Sequence, residues 1–389
     1  MQSERYYDAV VCGGGIAGIA AALASARNGA KTCIIEKEYC LGGLATLGLI
    51  VIYLPLCDGT GIQMSGGICE ELLKNSVKYG TGEIPAPWKN PSEHSLEELK
   101  DKRYMVTYNA ASFIISAEQL LLNEGIKLYY DARITDVIHN NGKINSAVIN
   151  TKVNNLIIHG KAFIDATGDA DICYLSGEET IDDNDNRRTG WYYSYDGNNL
   201  KLNPLTDPLY GEIPDDSRTY SGTDIDDISD HMIAMRKFIL NDIIIKRNNG
   251  NHNIYPLIIP SFHGFRMTRR LSGTLEFSED KHNYVWFDDA IGMIGNWKCT
   301  DKRYSIPYRC IKGVKNNNLY VAGRCVCADK SGWDLTRVIP TCAITGEAAG
   351  TAAAMQAAAN QTPNINDLQN LLVKNNVLLN KALFNEVLS

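Results

Sequence analysis

The sequence lacks any apolar run of the roughly 18 to 20 residues that a membrane-spanning helix needs. It opens without a signal peptide, because Met1 to Arg5 leads directly into a short strand-like run. Basic residues are in deficit, since 38 Lys and Arg against 45 Asp and Glu give a formal net charge of −7. Nucleic-acid backbones are held mainly by clustered Lys and Arg. These absences predict a cytoplasmic protein with no membrane partner and no nucleic-acid partner.

The cysteine pattern indicates neither a disulfide framework nor a metal centre. The eleven cysteines are odd in number, and Cys12 and Cys33 lie inside apolar runs, as reduced core thiols do. The dyad Cys325-x-Cys327 has no matching Cys or His pair at ligand spacing. We therefore expect no metal site.

The chain is long enough for two domains, with 389 residues, and 33 of these residues are glycine. The first cluster, Gly13-x-Gly15-x-x-Gly18, follows a strand-like run at 7–12 and opens a helix-forming stretch, and the next strand ends at Glu36. In such a βαβ unit the three glycines permit a tight turn, approach to a pyrophosphate and close helix packing, while the acid accepts from a ribose hydroxyl. The motif predicts a dinucleotide site, with a purely structural turn as the alternative.

Three further segments narrow the choice of dinucleotide: the Gly42-Gly43 pair, the run 166–169 (Ala-Thr-Gly-Asp) and the run 321–324 (Val-Ala-Gly-Arg). With them the chain resembles the single-nucleotide-domain branch of the glutathione-reductase-type FAD-binding superfamily, and within it the FAD-dependent oxidoreductase family, in a fumarate-reductase-like arrangement. The resemblance is weakest over 173–260. It implies FAD as cofactor, with NAD alone as the alternative. By this resemblance the cofactor-binding residues are Gly13, Gly15, Ile16, Ala17, Gly18, Glu36, Lys37, Gly42, Gly43, Leu44, Thr46, Arg133, Ala166, Thr167, Gly168, Gly323, Arg324, Val338 and Ile339.

The predicted fold class is α/β: a Rossmann-like FAD-binding domain with a parallel sheet, plus an inserted α+β substrate domain, or cap. The first part of the FAD domain spans 1–172 and contains a lid-like loop at 80–111. The cap spans 173–303, and the FAD domain returns over 304–389 with C-terminal helices.

Candidate catalytic residues lie where the cap is expected to meet the flavin, because no second Gly-x-Gly-x-x-Gly marks a separate NADPH domain. Arg266 and Arg269 would hold an anionic or polar substrate, since guanidinium is a forked donor. His263 would act as acid or base, and Tyr308 would line the pocket. The structural alternatives are arginines that join the two domains, a hydrogen-bonded histidine and a core tyrosine. For Arg324 the alternative is a surface ion pair. Arg270 shares the role of the two arginines and Tyr304 that of Tyr308, and Trp333 and Asp334 rank next.

The predicted function is hydride transfer between a small polar substrate and flavin N5, with the protein supplying position and charge. The alternative is a flavin-carrying electron-transfer subunit of a larger complex. A closed pocket lined by Arg266, Arg269 or Tyr308 would favour the enzyme, and a flat exposed flavin face would favour the subunit. RNA modification conflicts with the charge of −7. The sequence allows a homo-oligomer without specifying one.

Overall fold

The computed structural model describes residues 3–187, 189–205 and 218–385. Its strands are β1 (Ser3–Cys12), β2 (Thr32–Ile35), β3 (Ile52–Tyr53), β4 (Val106–Thr107), β5 (Lys127–Tyr129), β6 (Arg133–Asn140), β7 (Lys143–Asn150), β8 (Asn155–Asp165), β9 (Thr180–Asp182), β10 (Trp191–Tyr195), β11 (Leu200–Pro204), β12 (Tyr255–Ile258), β13 (Arg269–Leu271), β14 (Ala290–Gly295), β15 (Arg303–Pro307) and β16 (Leu319–Val321). Its α-helices are α1 (Ile16–Arg27), α2 (Gly67–Ser76), α3 (Ala86–Lys89), α4 (Leu96–Asp101), α5 (Ala110–Asn123), α6 (Asp171–Leu175), α7 (Ile225–Asn248), α8 (Glu279–His282), α9 (Lys330–Thr336), α10 (Ile339–Ala359) and α11 (Ile365–Lys374).

The central sheet of the described chain has the strand order β5-β2-β1-β8-β7-β6, with β16 also pairing to β8. Strands β5, β2, β1, β8 and β16 are parallel neighbours, and β7 and β6 continue the sheet antiparallel. The two halves of β8 have different partners, since Asn155–His159 pair with β7 and Phe163–Asp165 pair with β16. The carboxyl ends of the parallel strands share one edge, which is where ligands bind in open α/β sheets. The predicted α/β class is confirmed.

Helices α1 and α10 pack against each other beside this sheet. Glycines on α10 allow the close approach: a Cβ at Gly346 would lie 2.2 Å from the Ala17 carbonyl oxygen, and one at Gly350 would lie 2.1 Å from that of Ala21. The Ser25 hydroxyl also donates to the Gly350 carbonyl at 3.0 Å. Small residues therefore fix the spacing of the two helices whose N-termini reach the sheet edge.

Strands β11, β10 and β12 form a separate antiparallel sheet, the roof sheet. Helix α7 covers one of its faces, where the Tyr192 hydroxyl donates to Asp242 and the Lys246 ammonium donates to Asn203 Oδ1 at 2.8 Å. Successive strand residues face opposite sides of a sheet. The face opposite to α7 therefore carries Trp191, Leu202 and Pro204.

The C-terminal helices predicted within 304–389 are present as α9, α10 and α11. The prediction of a lid-like loop at 80–111 is wrong, because this stretch forms α3, α4, β4 and the start of α5. Its prolines start short helices, and the buried rings of Trp88 and Tyr104 stack at 5.0 Å, which anchors the segment to the core. No described helix combines the length and apolarity needed to cross a bilayer.

Candidate active site

A cavity of about 610 Å³ lies between the carboxyl edge of the central sheet and the roof sheet. One end adjoins the glycine turn after β1, and the other is walled by Trp and Arg side chains. Most of the predicted cofactor residues line it. These are Gly13, Gly15, Ile16, Ala17, Glu36, Lys37, Gly42, Gly43, Leu44, Arg133, Ala166, Thr167, Gly168, Gly323, Arg324, Val338 and Ile339.

The glycine turn is fixed by backbone contacts that exclude any side chain at two of its three glycines. Gly13 has φ +106°, and a Cβ there would lie 2.4 Å from the Ala166 carbonyl oxygen. A Cβ at Gly18 would lie 1.8 Å from the Gly13 carbonyl oxygen. A Cβ at Gly15 would meet no protein atom within 4 Å and would project into open space at the cavity. Of the three glycines, Gly15 alone therefore has open space in the direction of a side chain.

The second glycine pair lies directly on this turn. The Gly42 amide donates to the Gly14 carbonyl at 2.8 Å. Gly42 has φ +100°, and a Cβ at Gly43 would lie 3.5 Å from the Gly15 Cα. The left-handed backbone at Gly42 suits glycine, which lets the two glycine segments form one wall of the cavity.

Glu36 lies at the end of β2 with both carboxylate oxygens hydrogen-bonded to backbone. Oε2 accepts from the Gly14 amide at 2.6 Å and Oε1 from the Glu38 amide at 2.8 Å. Burial raises the pKa of this carboxyl, and the two amide hydrogen bonds oppose that rise. Each oxygen keeps a further lone pair, so Glu36 can still accept from a hydroxyl in the cavity.

Two helix N-termini reach the cavity without side-chain caps. The N-cap residues are Gly15 for α1 and Val338 for α10, and neither helix has an acidic residue in its first turn. First-turn N–H groups have no partner inside their helix and carry the positive end of the helix dipole. The donor set therefore suits a ligand with negative charge at both places, as the pyrophosphate and the reduced flavin ring of FAD have.

Arg324 forms a buried ion pair rather than the surface pair considered above. Its guanidinium donates to Asp169 Oδ1 at 2.9 Å, to the Gly168 carbonyl at 3.0 Å and to the Phe265 carbonyl at 2.9 Å. Burial would raise the pKa of Asp169, but the charges of Arg324 and Lys37 hold it below its ordinary value. Arg324 thus joins the loop after β8 to the segment before β13 and borders the cavity at the same time.

Arg266 is the predicted catalytic residue that the structure brings to the cavity. One amino group donates to the Thr189 hydroxyl at 3.3 Å, and the guanidinium lies 5.7 Å from the ring centroid of Trp191. Its Nε is buried without a hydrogen-bond partner among the described residues. Arg337 lines the same end, pairs with Asp334 and also has a buried, unpartnered Nε.

The other two predicted arginines, Arg269 and Arg270, have the structural role that was the alternative for them. Arg269 donates to the Asp169 carbonyl at 2.8 Å and to Asp171 at 2.7 Å, and Arg270 pairs with Glu276 at 2.9 Å. Neither of them is among the residues that line the cavity. Their ion pairs with Asp171 and Glu276 hold the two side chains outside the ligand space.

Four further predicted residues also lie outside the lining of the cavity. The Thr46 hydroxyl donates to the Leu41 carbonyl at 2.6 Å, and Tyr308 packs against Tyr320 with ring centroids 6.5 Å apart. His263 packs between phenylalanines, and burial lowers its pKa to about 3, so its ring is neutral at pH 7. Gly18 is needed for packing, not for ligand contact.

Sequence reasoning missed the residues that close the far end of the cavity. Trp191 lies on the roof sheet, while Trp297 and Met105 come from two separate loops. Arg337 stands directly before the predicted Val338, and tryptophan occurs only 5 times in the chain. The position of Arg337 and the rarity of tryptophan were the signals of this wall that the sequence offered, because no spacing rule connects positions so far apart.

The Cys325-x-Cys327 dyad has a structural role. Cys325 Sγ accepts from the Ala170 amide at 3.3 Å, and Cys327 Sγ accepts from the Gly273 amide at 3.1 Å. Both thiols are buried, and among the described residues no three His, Cys, Asp or Glu side chains are placed to hold a metal ion.

Three comparisons place these features among known proteins. The model of the FAD dependent oxidoreductase family matches residues 8–191 and 178–374, whereas a comparison with curated proteins finds no match. Among solved structures the chain is similar to a geranylgeranyl bacteriochlorophyll reductase-like protein from Thermoplasma acidophilum, with 15% identity over 96% of this chain and 85% of that chain and a TM-score of 0.49. It is also similar to a myxobacterial chondrochloren halogenase, with 15% identity over 95% of this chain and 78% of that chain and a TM-score of 0.48. A 3-ketosteroid-Δ4-(5α)-dehydrogenase from Rhodococcus jostii has 11% identity over 91% of this chain and 98% of that chain, with a TM-score of 0.42.

The family match covers most of the chain and confirms the resemblance predicted from the glycine segments. The chain belongs to the FAD dependent oxidoreductase family and is an enzyme whose cofactor is FAD.

Proposed function

We propose that the protein oxidises or reduces a small molecule by hydride transfer to or from FAD inside this cavity. The observation that carries the proposal is the continuity of the cavity from the glycine turn to the wall of Arg266, Arg337 and Trp191. When bound, FAD supplies a ring that accepts or donates a hydride. A substrate between that ring and the roof sheet would be held close and shielded from water.

The residues that would hold FAD follow the wall of the cavity from one helix N-terminus to the other. The first-turn amides of α1, next to Gly15, would bind the pyrophosphate, and Glu36 would accept from the adenosine ribose. The N-terminus of α10, at Val338 and Ile339, would face the flavin ring and favour negative charge there. Arg324 would act indirectly, because each of its three nitrogens already donates to Asp169 or to a backbone carbonyl.

The residues that would meet the substrate are those of the far wall. Arg266 would orient it by a charge-assisted hydrogen bond, while Trp191, Trp297 and Leu202 would exclude water. This wall is mainly apolar, so in place of the small polar substrate expected from the sequence we propose one with an apolar body. Arg269, Tyr308 and His263 lie outside the lining, and we assign them no substrate contact.

The domain division is also a proposal. The roof sheet and α7 form the part of the insertion that covers the cavity. Strand β14 instead packs on α10, where a Cβ at Gly292 would lie 2.2 Å from Ile344 Cγ2. We therefore assign β14 to the FAD domain together with its partner β15, and end the cap before position 290 instead of at 303.

The test is anaerobic. The protein is purified, loaded with FAD and mixed with a panel of hydroxy acids, amino acids, sugars and apolar carboxylic acids, and visible flavin absorbance is followed. We expect at least one compound to bleach the flavin, or to restore its colour after photoreduction. If no compound does so while a reduced electron-carrier protein exchanges electrons quickly with the flavin, the electron-transfer subunit is the better description.

A further inference from the structure

We propose that Arg266 and Arg337 form a carboxylate-binding subsite, and that the natural substrate is a carboxylic acid with an apolar body. This inference rests on the proposed function, because it describes the substrate end of the same cavity. It goes further in naming the charge and the polarity of the substrate. Both guanidinium groups line the end of the cavity that faces the roof sheet.

The Arg266 guanidinium lacks an acidic partner within the described chain. Its single side-chain hydrogen bond goes to the neutral Thr189 hydroxyl at 3.3 Å, and its Nε is buried and unbonded. None of the ion pairs found among the described residues includes it. Arg324 and Arg269 each have a carboxylate within 2.9 Å. The chain thus pairs the neighbouring arginines and leaves Arg266 to bind something else.

The charge at the far wall is positive even after its one carboxylate is counted. Asp334 is bonded to Arg337 and to Lys298 at once, so a single negative charge serves two cations. The buried Nε of Arg337 remains without a partner. Lys298 does not line the cavity, so two guanidinium groups with one carboxylate between them remain at the far wall, and a ligand with one negative charge would restore balance.

Burial makes a guanidinium charge without an anionic partner energetically unfavourable. Burial, together with the charges of Arg337 and Arg324, lowers the pKa of Arg266 to about 9, against a weaker opposite effect of Asp334. An isolated charge in such a place is unfavourable, whereas a carboxylate in a bidentate arrangement would stabilise it. The free donors come from segments outside the glycine turn, where the first-turn amides of α1 would bind a pyrophosphate.

The rest of the far wall describes the body of the ligand. The apolar side chains that line the same cavity as the two arginines include Trp191, Trp297, Leu54, Met105 and Leu202. Such a wall suits a ring or a branched hydrocarbon, since burying apolar area is favourable and polar groups there would lose hydrogen bonds to water. A sugar or a small hydroxy acid fits this lining poorly.

The experiment uses the FAD-loaded protein and two ligands of equal size, benzoate and the uncharged benzamide. Binding is read from the change in visible flavin absorbance on titration, which needs no turnover. We expect benzoate to bind at least 10-fold more tightly than benzamide. We expect Arg266→Met to reduce benzoate affinity at least 10-fold with little effect on benzamide, and Arg266→Lys to give an intermediate loss, because lysine keeps the charge but not the fork.

The matched control is Arg309→Met, which removes an arginine whose half-exposed side chain pairs with Asp289 at 2.9 Å outside the cavity. It should leave the affinity for both ligands unchanged. Equal affinity of the two ligands in the parent protein, no spectral response to benzoate, or unchanged benzoate affinity in Arg266→Met together with Arg266→Lys would overturn the subsite. Benzoate binding through Arg266 in a protein whose flavin no compound reduces would instead refute the proposed function and keep the subsite.

Discussion

The two ends of the cavity are built in opposite ways. At the glycine turn, backbone atoms make the wall, and Gly13, Gly18 and Gly42 sit where a Cβ would lie within 2.4 Å of another protein atom. At the far end, side chains make the wall, and Arg266 and Arg337 each keep a buried nitrogen without a partner. The first end therefore has a fixed shape, whereas the second end has hydrogen-bond donors that are still available to a ligand.

This difference indicates which end of the cavity determines the choice of cofactor and which end determines the choice of substrate. A backbone wall changes little when residues are exchanged, so the glycine turn can serve one ligand shared by a family. A wall of side chains from separate segments changes with each substitution and can be fitted to different ligands. The predictions below test this contrast.

The largest effect is expected from Gly18→Ala, compared with Gly15→Ala. The methyl group that the first change adds would need to occupy a place 1.8 Å from the Gly13 carbonyl oxygen. We expect this variant to lose more than about 3 kcal/mol of stability and its FAD. Gly15→Ala meets no protein atom within 4 Å, so the apoprotein should unfold within about 1 kcal/mol of the parent while FAD affinity drops at least ~10-fold.

Urea unfolding of the apoproteins and flavin content after purification measure the two quantities separately. Equal loss of stability in both variants would contradict the assignment of Gly15 to the ligand and Gly18 to packing.

The next effect concerns Asp169, which pairs with Arg324 at the border of the cavity. Asp169→Asn removes the charge that faces Arg324 at 2.9 Å in a site where both side chains are about nine-tenths buried. Leaving a buried arginine unpaired should lower the free energy of unfolding by about 3 to 5 kcal/mol. A double-mutant cycle with Arg324→Met should show coupling between the two positions, measured by urea unfolding. Additive effects would mean that the ion pair does not hold the loop after β8.

A pH-dependent effect is expected from Glu347, which lies on α10 away from the cavity. Its Oε2 accepts from the Ile68 amide at 2.8 Å at the start of α2, its Oε1 is buried without a partner, and burial raises the pKa to about 8. The unfolded pKa is about 4.5. Between these values the folded state holds a proton that the unfolded state has lost, so stability falls as pH rises through this interval, by at most ~1.4 kcal/mol per pH unit.

Glu347→Gln imitates the protonated carboxyl and should remove this dependence. The variant should gain stability relative to the parent between about pH 5 and pH 8 in urea unfolding. A difference between the two proteins that is constant over this range would show that Glu347 is charged in the folded state.

The smallest effect is expected from Thr189→Val at the far wall. The substitution keeps the shape and removes the hydroxyl that accepts from Arg266 at 3.3 Å. One long hydrogen bond contributes about 1 kcal/mol or less, so benzoate affinity should change no more than ~5-fold. A loss as large as that of Arg266→Met would show that Thr189, rather than the guanidinium, holds the ligand.

The glycine end could be predicted because its parts lie close together in sequence and each follows a local rule. The Gly13 turn, Glu36 and the 42–43 pair all fall within one βαβ unit and the loop that follows it. The far end could not be predicted, because Trp191, Arg266 and Arg337 come from segments joined only in the folded chain. Arg266 and Arg269 also look alike in sequence, and only the folded chain separates their roles, because Arg269 pairs with Asp171 while Arg266 lines the cavity.

One feature of the roof sheet limits how this enzyme can diversify. Strand β10 has Trp191 facing the cavity and Tyr192 facing α7, so its two sides serve different neighbours. Inserting or deleting a single residue would exchange the two sides, placing the tyrosine that bonds to Asp242 over the ligand and the tryptophan against the helix. Related enzymes with other substrates should therefore differ by side-chain replacement along β10, and vary in length only in the loops at its two ends.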